Sequence, residues 1–366
     1  MDPRVKRLAN LLVHYSLKLK KGDLLRIDGE TVSLPLIKAV YKEALNVGAH
    51  PYTQIRVQDN QEAFYNLASE EQMKFISPIS RLEVNKLDAL LTIWGHENTR
   101  ALSGVDPKRQ GLVQRYQRPL FEQMMKRMGD GSLSWCGTQY PTLADAQDAE
   151  MSLEDYAEFV FRAGHVHKGD PVRHWKKVAA EQDRLIGKLD RVDRLHFTGA
   201  GTDLRMSVKG RKWINCAGTK NFPDGEIFSS PIENTVEGHI SFSFPAVYQG
   251  KEVQKVRLEF KKGIVVKEFA EKNLAYLRSM LDADEGARRV GEIAIGTNYE
   301  IKRFSRNTLF DEKIGGTCHL AIGASIPEAG GRNRSAIHWD MVCDLKKGGE
   351  IEADGKIIYR NGKFLI

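Results

Sequence analysis

The 366-residue sequence holds only four cysteines, Cys136, Cys216, Cys318 and Cys343, widely separated and with no C-x-x-C pair. A disulfide framework and a zinc knuckle are both excluded, and four reduced thiols are expected. No apolar run approaches the roughly 18 residues needed to span a bilayer, so no membrane partner is expected. The N-terminal stretch MDPRVKRLANLLVHYSLKLKKGD spaces Val5, Leu8, Leu11, Leu12 and Tyr15 along one helical face and scatters charge throughout. It lacks the continuous apolar segment of a signal peptide, and a cytoplasmic location follows as the expectation. G-x-x-x-x-G-K-[ST], G-x-S-x-G and H-E-x-x-H are all missing. TGAGTDL, 198–204, lacks the third glycine of a dinucleotide loop and reads as a turn. The net charge of +7 comes from basic residues interspersed with acids, with no basic run interleaved with aromatics. No nucleic-acid partner is expected from that pattern.

What is present is a soluble globular composition, 41% hydrophobic and 28% charged, on a chain long enough for two domains. Helical spacing at about 3–20, 33–47 and 107–128 alternates with strand-like DLLRID, HPYTQIRV, KLDALLTIWG and LSWCGT. Such alternation implies βαβ units and a mostly parallel, covered sheet. From about 190 the pattern changes to short strands with glycine-rich turns, and D-G and N-G hairpin signals close the chain. VKEFAEKNLAYLRSMLDAD, 266–284, reads as the one substantial helix of this half. The fold class is therefore α/β, with an N-terminal α/β layer domain over 1–185 and a C-terminal β-rich α+β domain over 186–366.

In the second half, SAIHWDMVCDL (335–345) puts an imidazole and a carboxylate two apart in an apolar run. On a strand, Ile337, Trp339, Met341, Cys343 and Leu345 share one face and His338 and Asp340 the other. A core histidine hydrogen-bonded to an aspartate would explain this motif taken alone. Three further segments have the same character: FPDGEIFSSP with Glu226, RVGEIAIGTN with Glu292, and LFDEKIGGTCHLAIG with Asp311, Glu312 and His319. Individually, Asp311 and Glu312 read as caps and Glu226 as a solvated strand residue. Collectively, Glu226, Glu292, His319, His338 and Asp340 lie in or beside strands among apolar neighbours, where unpaired charge is costly. Metal coordination resolves that cost. Imidazole and carboxylate without thiolate suit Zn, Mn, Co or Fe, and five or six such ligands exceed the need of one tetrahedral ion. Two ions sharing a bridging carboxylate would use them all.

PDGEIFSSPIENTVEGHI, GEIAIGTN, LFDEKIGGTCHLAIG and PEAGGRNRSAIHWDMVCDL, in this order, closely resemble the thermophilic-type metallo-aminopeptidases, the aminopeptidase T, S and II group. LLVHYSLKLKKGDLLRI and GTQYPTLADAQDAEMSLEDY are similar too, so the resemblance covers nearly the whole chain. It implies a homodimer whose C-terminal domain is catalytic and removes N-terminal amino acids from peptide substrates. It also implies two divalent metal ions per subunit, zinc, cobalt or manganese, and a metal-activated water. Carried over motif by motif, the metal-binding positions are Glu226, Glu292, His319, His338 and Asp340, with Glu292 and Glu312 as candidate catalytic acid/base residues. One position departs from the pattern. Where the family typically has a tyrosine seven residues after the histidine matching His319, this chain has Ile326, which can neither donate nor ionise. Either another donor, such as Tyr140, takes its place, or the chain binds metal with weakened or redirected activity, as a binding protein or a hydrolase of another amide.

Overall fold

A computed structural model describes all 366 residues. The chain divides into two compact units, one of Met1–Val172 with Gly218–Pro223, the other of Arg173–Ala217 with Asp224–Ile366. The sequence-based boundary at 185 falls inside the helix Pro171–Leu189. Leu185 and Leu189 of that helix pack into the apolar core of the second unit, which explains why nearly all of it belongs there.

The first unit is built on a five-stranded, wholly parallel sheet in the order His50–Arg56, Leu24–Glu30, Ala89–Trp94, Ser134–Gln139, Asn221–Phe222. Leu25, Ile27, Leu91 and Ile93 on its inner strands are fully buried, as continuous apolar runs in a covered parallel sheet require. Helix Leu34–Val47 stops at Gly48, whose φ of 83° is the left-handed conformation that glycine adopts without a Cβ penalty. Helix Pro107–Gly129 starts behind Asp106, whose side chain accepts from the Lys108 N–H. The first helix is shorter than its apolar spacing suggests: Pro3–Leu11 is α-helical and Leu12–Ser16 widens into a π turn.

The second unit is antiparallel. One sheet of eight strands includes the closing hairpins, whose turns Asp354-Gly355 and Asn361-Gly362 have φ of 47° and 84°, and 50° and 80°. Paired positive φ values are the turn chemistry that D-G and N-G signal. The expected helix over 266–284 is corrected: Ile264–Phe269 is a strand paired with Arg257–Lys261, and only Leu274–Leu281 is helical. The β-branched pair Val265 and Val266 follows the Lys262-Gly263 turn, and cross-strand pairing prevails there over helical spacing. A second sheet runs His338–Asp344, Thr317–Gly323, Val290–Gly296, Glu226–Ser229, Ile214–Cys216. Its core face, with Ile227, Ile293, Ile295, Leu320, Ile322, Trp339 and Met341, joins the main apolar cluster of the unit. No helix in the chain is long and apolar enough to cross a membrane.

Candidate metal centre

The opposite face of this second sheet carries the ionisable residues. Alternation along the strands places Glu226, Glu292, His319, His338 and Asp340 on it while Ile227, Ile293, Leu320 and Trp339 face the core. Register then brings them together. Ala321 sits between Glu292 and Asp340, Ala294 is opposite His319, Gly296 opposite Glu226 and Gly323 opposite His338. Long ionisable side chains therefore stand beside alanines and glycines, whose side chains are small or absent.

A bulge precedes Glu292 on its strand. The register shifts between Val290 and Glu292, so these residues, two apart, lie on opposite faces: Val290 in the core and Glu292 in the site. Ile293 and Ile295 hold the core face beyond it, so an unbroken strand would carry Val290 onto the site face beside Glu292. The extra residue is Gly291, where a Cβ would meet the Ala324 carbonyl oxygen at 2.1 Å.

Both imidazoles are aimed by main-chain carbonyls. His319 Nδ1 lies 3.0 Å from the Glu312 oxygen and His338 Nδ1 2.9 Å from the Ala324 oxygen. A carbonyl only accepts, so each Nδ1 carries the proton and each Nε2 is turned to the carboxylates. His319 Nε2 is 3.5 Å from Glu226 Oε2, 3.4 Å from Glu292 Oε1 and 3.9 Å from Asp340 Oδ1. His338 Nε2 is 3.5 Å from Glu292 Oε2 and 3.6 Å from Asp340 Oδ1. Glu292 is thus common to two triads, Glu226–Glu292–His319 and Glu292–His338–Asp340. Within each triad one ligand atom per residue lies within 4.8 Å of the others. Glu312 forms a third such group with His319 and Asp340. His319 is shut in, whereas the His338 side chain is 31% exposed and marks the open side of the site.

Electrostatics set these groups against one another. Burial lifts the Glu226 carboxyl to about 8, even against the nearby Lys313 ammonium. Glu292 is held down at about 2, its burial outweighed by its contacts with His319 and His338. Burial disfavours the imidazolium of His319, but Glu292, Glu226 and Asp340 prevail and raise it to about 9. His338 is raised to about 10, burial again losing to Asp340 and Glu292. Burial raises Asp340 to about 6, with His338 opposing.

The donor set fits a metal. Glu226 Oε2, His319 Nε2 and Asp340 Oδ1 are buried without any hydrogen-bond partner, and they converge. Orphaned buried polar atoms are rare because each forfeits its solvation. Here they are oxygen and nitrogen donors of the kind that Zn, Co or Mn takes.

All five proposed ligands and Glu312 are brought to this one place. Asp311 is turned away, its Oδ1 accepting from the Ser305 N–H at 2.7 Å and hydroxyl at 2.9 Å. Ile326 precedes the turn Pro327–Ala329, and Tyr140 belongs to the first unit. Two contributors escape the sequence reading: the bulge at Gly291 and the fully buried Lys313. The signal for each was a single residue, a glycine directly before Glu292 and a lysine amid DEKIGG.

A sheet face that gathers three carboxylates and two imidazoles around orphaned donors has the make-up of a metalloenzyme. Comparison with known proteins narrows that class. The sequence profile described as thermophilic metalloprotease (M29) matches residues 1–364. Aminopeptidase 2 of Geobacillus stearothermophilus is 26% identical over 408 aligned positions, covering 99% of this chain and 98% of that protein. Aminopeptidase T of Thermus aquaticus is also 26% identical, with 98% of each chain covered. Wild-type AmpT from Thermus thermophilus superposes with a TM-score of 0.86 over 99% of both chains at 24% identity, and so shares the fold. The chain belongs to the thermophilic metalloprotease family M29 and is a peptidase.

Proposed function

We propose that this chain is an aminopeptidase that works through two divalent ions, zinc, cobalt or manganese, held by Glu226, Glu292, His319, His338 and Asp340, with Glu292 shared. The observation that carries this reading is the convergence of Glu226 Oε2, His319 Nε2 and Asp340 Oδ1 without partners. Such ions, when bound, polarise a scissile carbonyl and make hydroxide available near neutral pH. The protein's part is to hold and move charge. The Glu312 and Ala324 carbonyls keep both imidazoles in the ligating tautomer. Glu312 and Asp340 line a small cleft with Pro245, Val247, Phe304, Arg306, Thr308, Asp311 and Val342. A peptide's free α-amino group is recognised by a bound ion or a carboxylate, which restricts cleavage to the first bond. Glu312, or Glu292 if its hold on the ions relaxes, takes the proton of the attacking water and delivers it to the leaving amine. The second unit is then the catalytic one, peptides are the substrates, and the resemblance adds a homodimer, which sedimentation would check.

The test joins metal content to cleavage. Purified protein should carry divalent metal, release the first residue from amino-acid anilides and short peptides, stop on chelation and resume when metal is restored. N-acetylated peptides should resist. Cleavage within blocked peptides, or turnover indifferent to chelation, would overturn the proposal. Ile326 favours a second reading, metal binding with weakened or redirected activity, because an aliphatic side chain supplies no hydrogen-bond donor where the family has tyrosine. Stoichiometric metal with no release from any anilide or peptide would select it.

A further inference from the structure

Lys313 is a lysine with no solvent exposure at all. Its Nζ donates to Glu226 Oε1 at 3.1 Å and to Glu312 Oε1. Lysine is almost never fully buried unless its charge is paired, so these contacts are conditions of its being there. The consequence for Glu226 is a division of labour within one carboxylate. Oε1 is taken by the ammonium, while Oε2 has no hydrogen-bond partner and lies 3.5 Å from His319 Nε2, inside the Glu226–Glu292–His319 triad. A carboxylate can bind an ion through one oxygen or both, and a second oxygen fills a coordination position that a catalytic ion needs open.

We propose that Lys313 is a positioning residue that limits Glu226 to coordination through Oε2 and so keeps one position open on the ion held by Glu226, Glu292 and His319. This rests on the dinuclear reading above. An ammonium suits the task because it offers donors only and cannot itself become a ligand while protonated. Its stem emerges next to Glu312, so the same charge also restrains the proposed proton carrier. Release of Oε1 to the metal would leave that buried ammonium with a single carboxylate partner, which opposes chelation by both oxygens.

Cobalt(II) substitution reads coordination number directly, since visible absorbance weakens as ligands are added. In Lys313→Met the donor is gone, Glu226 becomes bidentate, and the absorbance of the affected ion should fall below that of the wild type. Lys313→Gln retains an N–H donor and should restore most of the wild-type spectrum. Two cobalt ions bound to Lys313→Met with an unchanged spectrum would overturn the proposal. Should the methionine variant fail to fold, the wild-type chain crystallised with cobalt decides: Oε2 alone on the ion with Nζ still on Oε1 supports the role, and both oxygens on the ion refute it. A wild-type chain that takes up no cobalt refutes the dinuclear reading and the role of Lys313 with it.

Discussion

Loading the site with metal at pH 7 should release about three protons per chain, because a ligand must shed its proton to coordinate. The groups concerned are Glu226, raised to about 8, His319 at about 9 and His338 at about 10, all mainly protonated at neutral pH. Glu292 at about 2 and Asp340 at about 6 are already ionised and contribute little. The sign follows directly. Acid favours the proton-bearing, metal-free chain, and alkali favours the loaded one. Near pH 7 the product of the two binding constants should fall about a thousandfold per pH unit of acidification, roughly 4 kcal/mol at 1.36 kcal/mol per proton. Above about pH 8 the slope should flatten, first as Glu226 and then the imidazoles surrender their protons unaided. Calorimetric titration with zinc, in buffers of one pH and different ionisation enthalpies, gives the proton count from the slope of heat against buffer enthalpy. His338→Gln should lower it by about one. A slope near zero for the wild type would mean that the imidazoles are neutral or are not ligands, and the electrostatic account of the site would fail.

Three further outcomes are expected. Asp340→Ala removes a donor from the Glu292–His338–Asp340 triad and should cut kcat/KM by about a thousandfold or more, with metal content reduced in parallel; full activity with full metal would remove Asp340 from the site. Gly291→Ala pushes a methyl against the Ala324 carbonyl and should lower the urea midpoint by the equivalent of at least about 1–3 kcal/mol while weakening metal binding through Glu292; an unchanged midpoint would refute the account of the bulge. Trp339, 1% exposed and packed on Tyr248 and Tyr276 with ring centroids 5.3 and 6.0 Å away, anchors the strand bearing His338 and Asp340. Its replacement by alanine should cost about 3–5 kcal/mol in chemical denaturation.

The strand at 338–344 and the parallel layer of the first unit were legible because each has a clean period: alternation in HWDMVCD, and apolar runs between helical repeats in 24–94. The proposed ligands were legible as residues that are costly to bury alone. Their assembly was not, since it depends on which strand pairs with which, and Glu226 and Asp340 both approach His319 Nε2 from strands far apart in the chain. The bulge was invisible for a sharper reason. On strict alternation Val290 and Glu292 would share a face; the register shift between them sends Val290 into the core, and the Ala324 carbonyl, 33 positions beyond Gly291, leaves no space there for a Cβ. Helical spacing misled at 266–284 because Val265, Val266 and Phe269 suit a strand as well as a helix and the tight turn at Lys262-Gly263 decided between them.

The imidazoles of His319 and His338 take their bearings from peptide oxygens. Every residue has such an oxygen, so substitutions of the side chains at 312 and 324 leave these two acceptors in place. Orientation of the two rings is therefore written into the path of the main chain, and their nitrogen lone pairs keep pointing at the same spot whatever the side chains at the two acceptor positions. A change that does threaten them is one that moves the backbone itself, such as an insertion between Glu312 and Thr317 or a register slip at Gly323. Searches for loss-of-function variants would do well to include the glycines there, Gly315, Gly316 and Gly323, which carry no side chain at all.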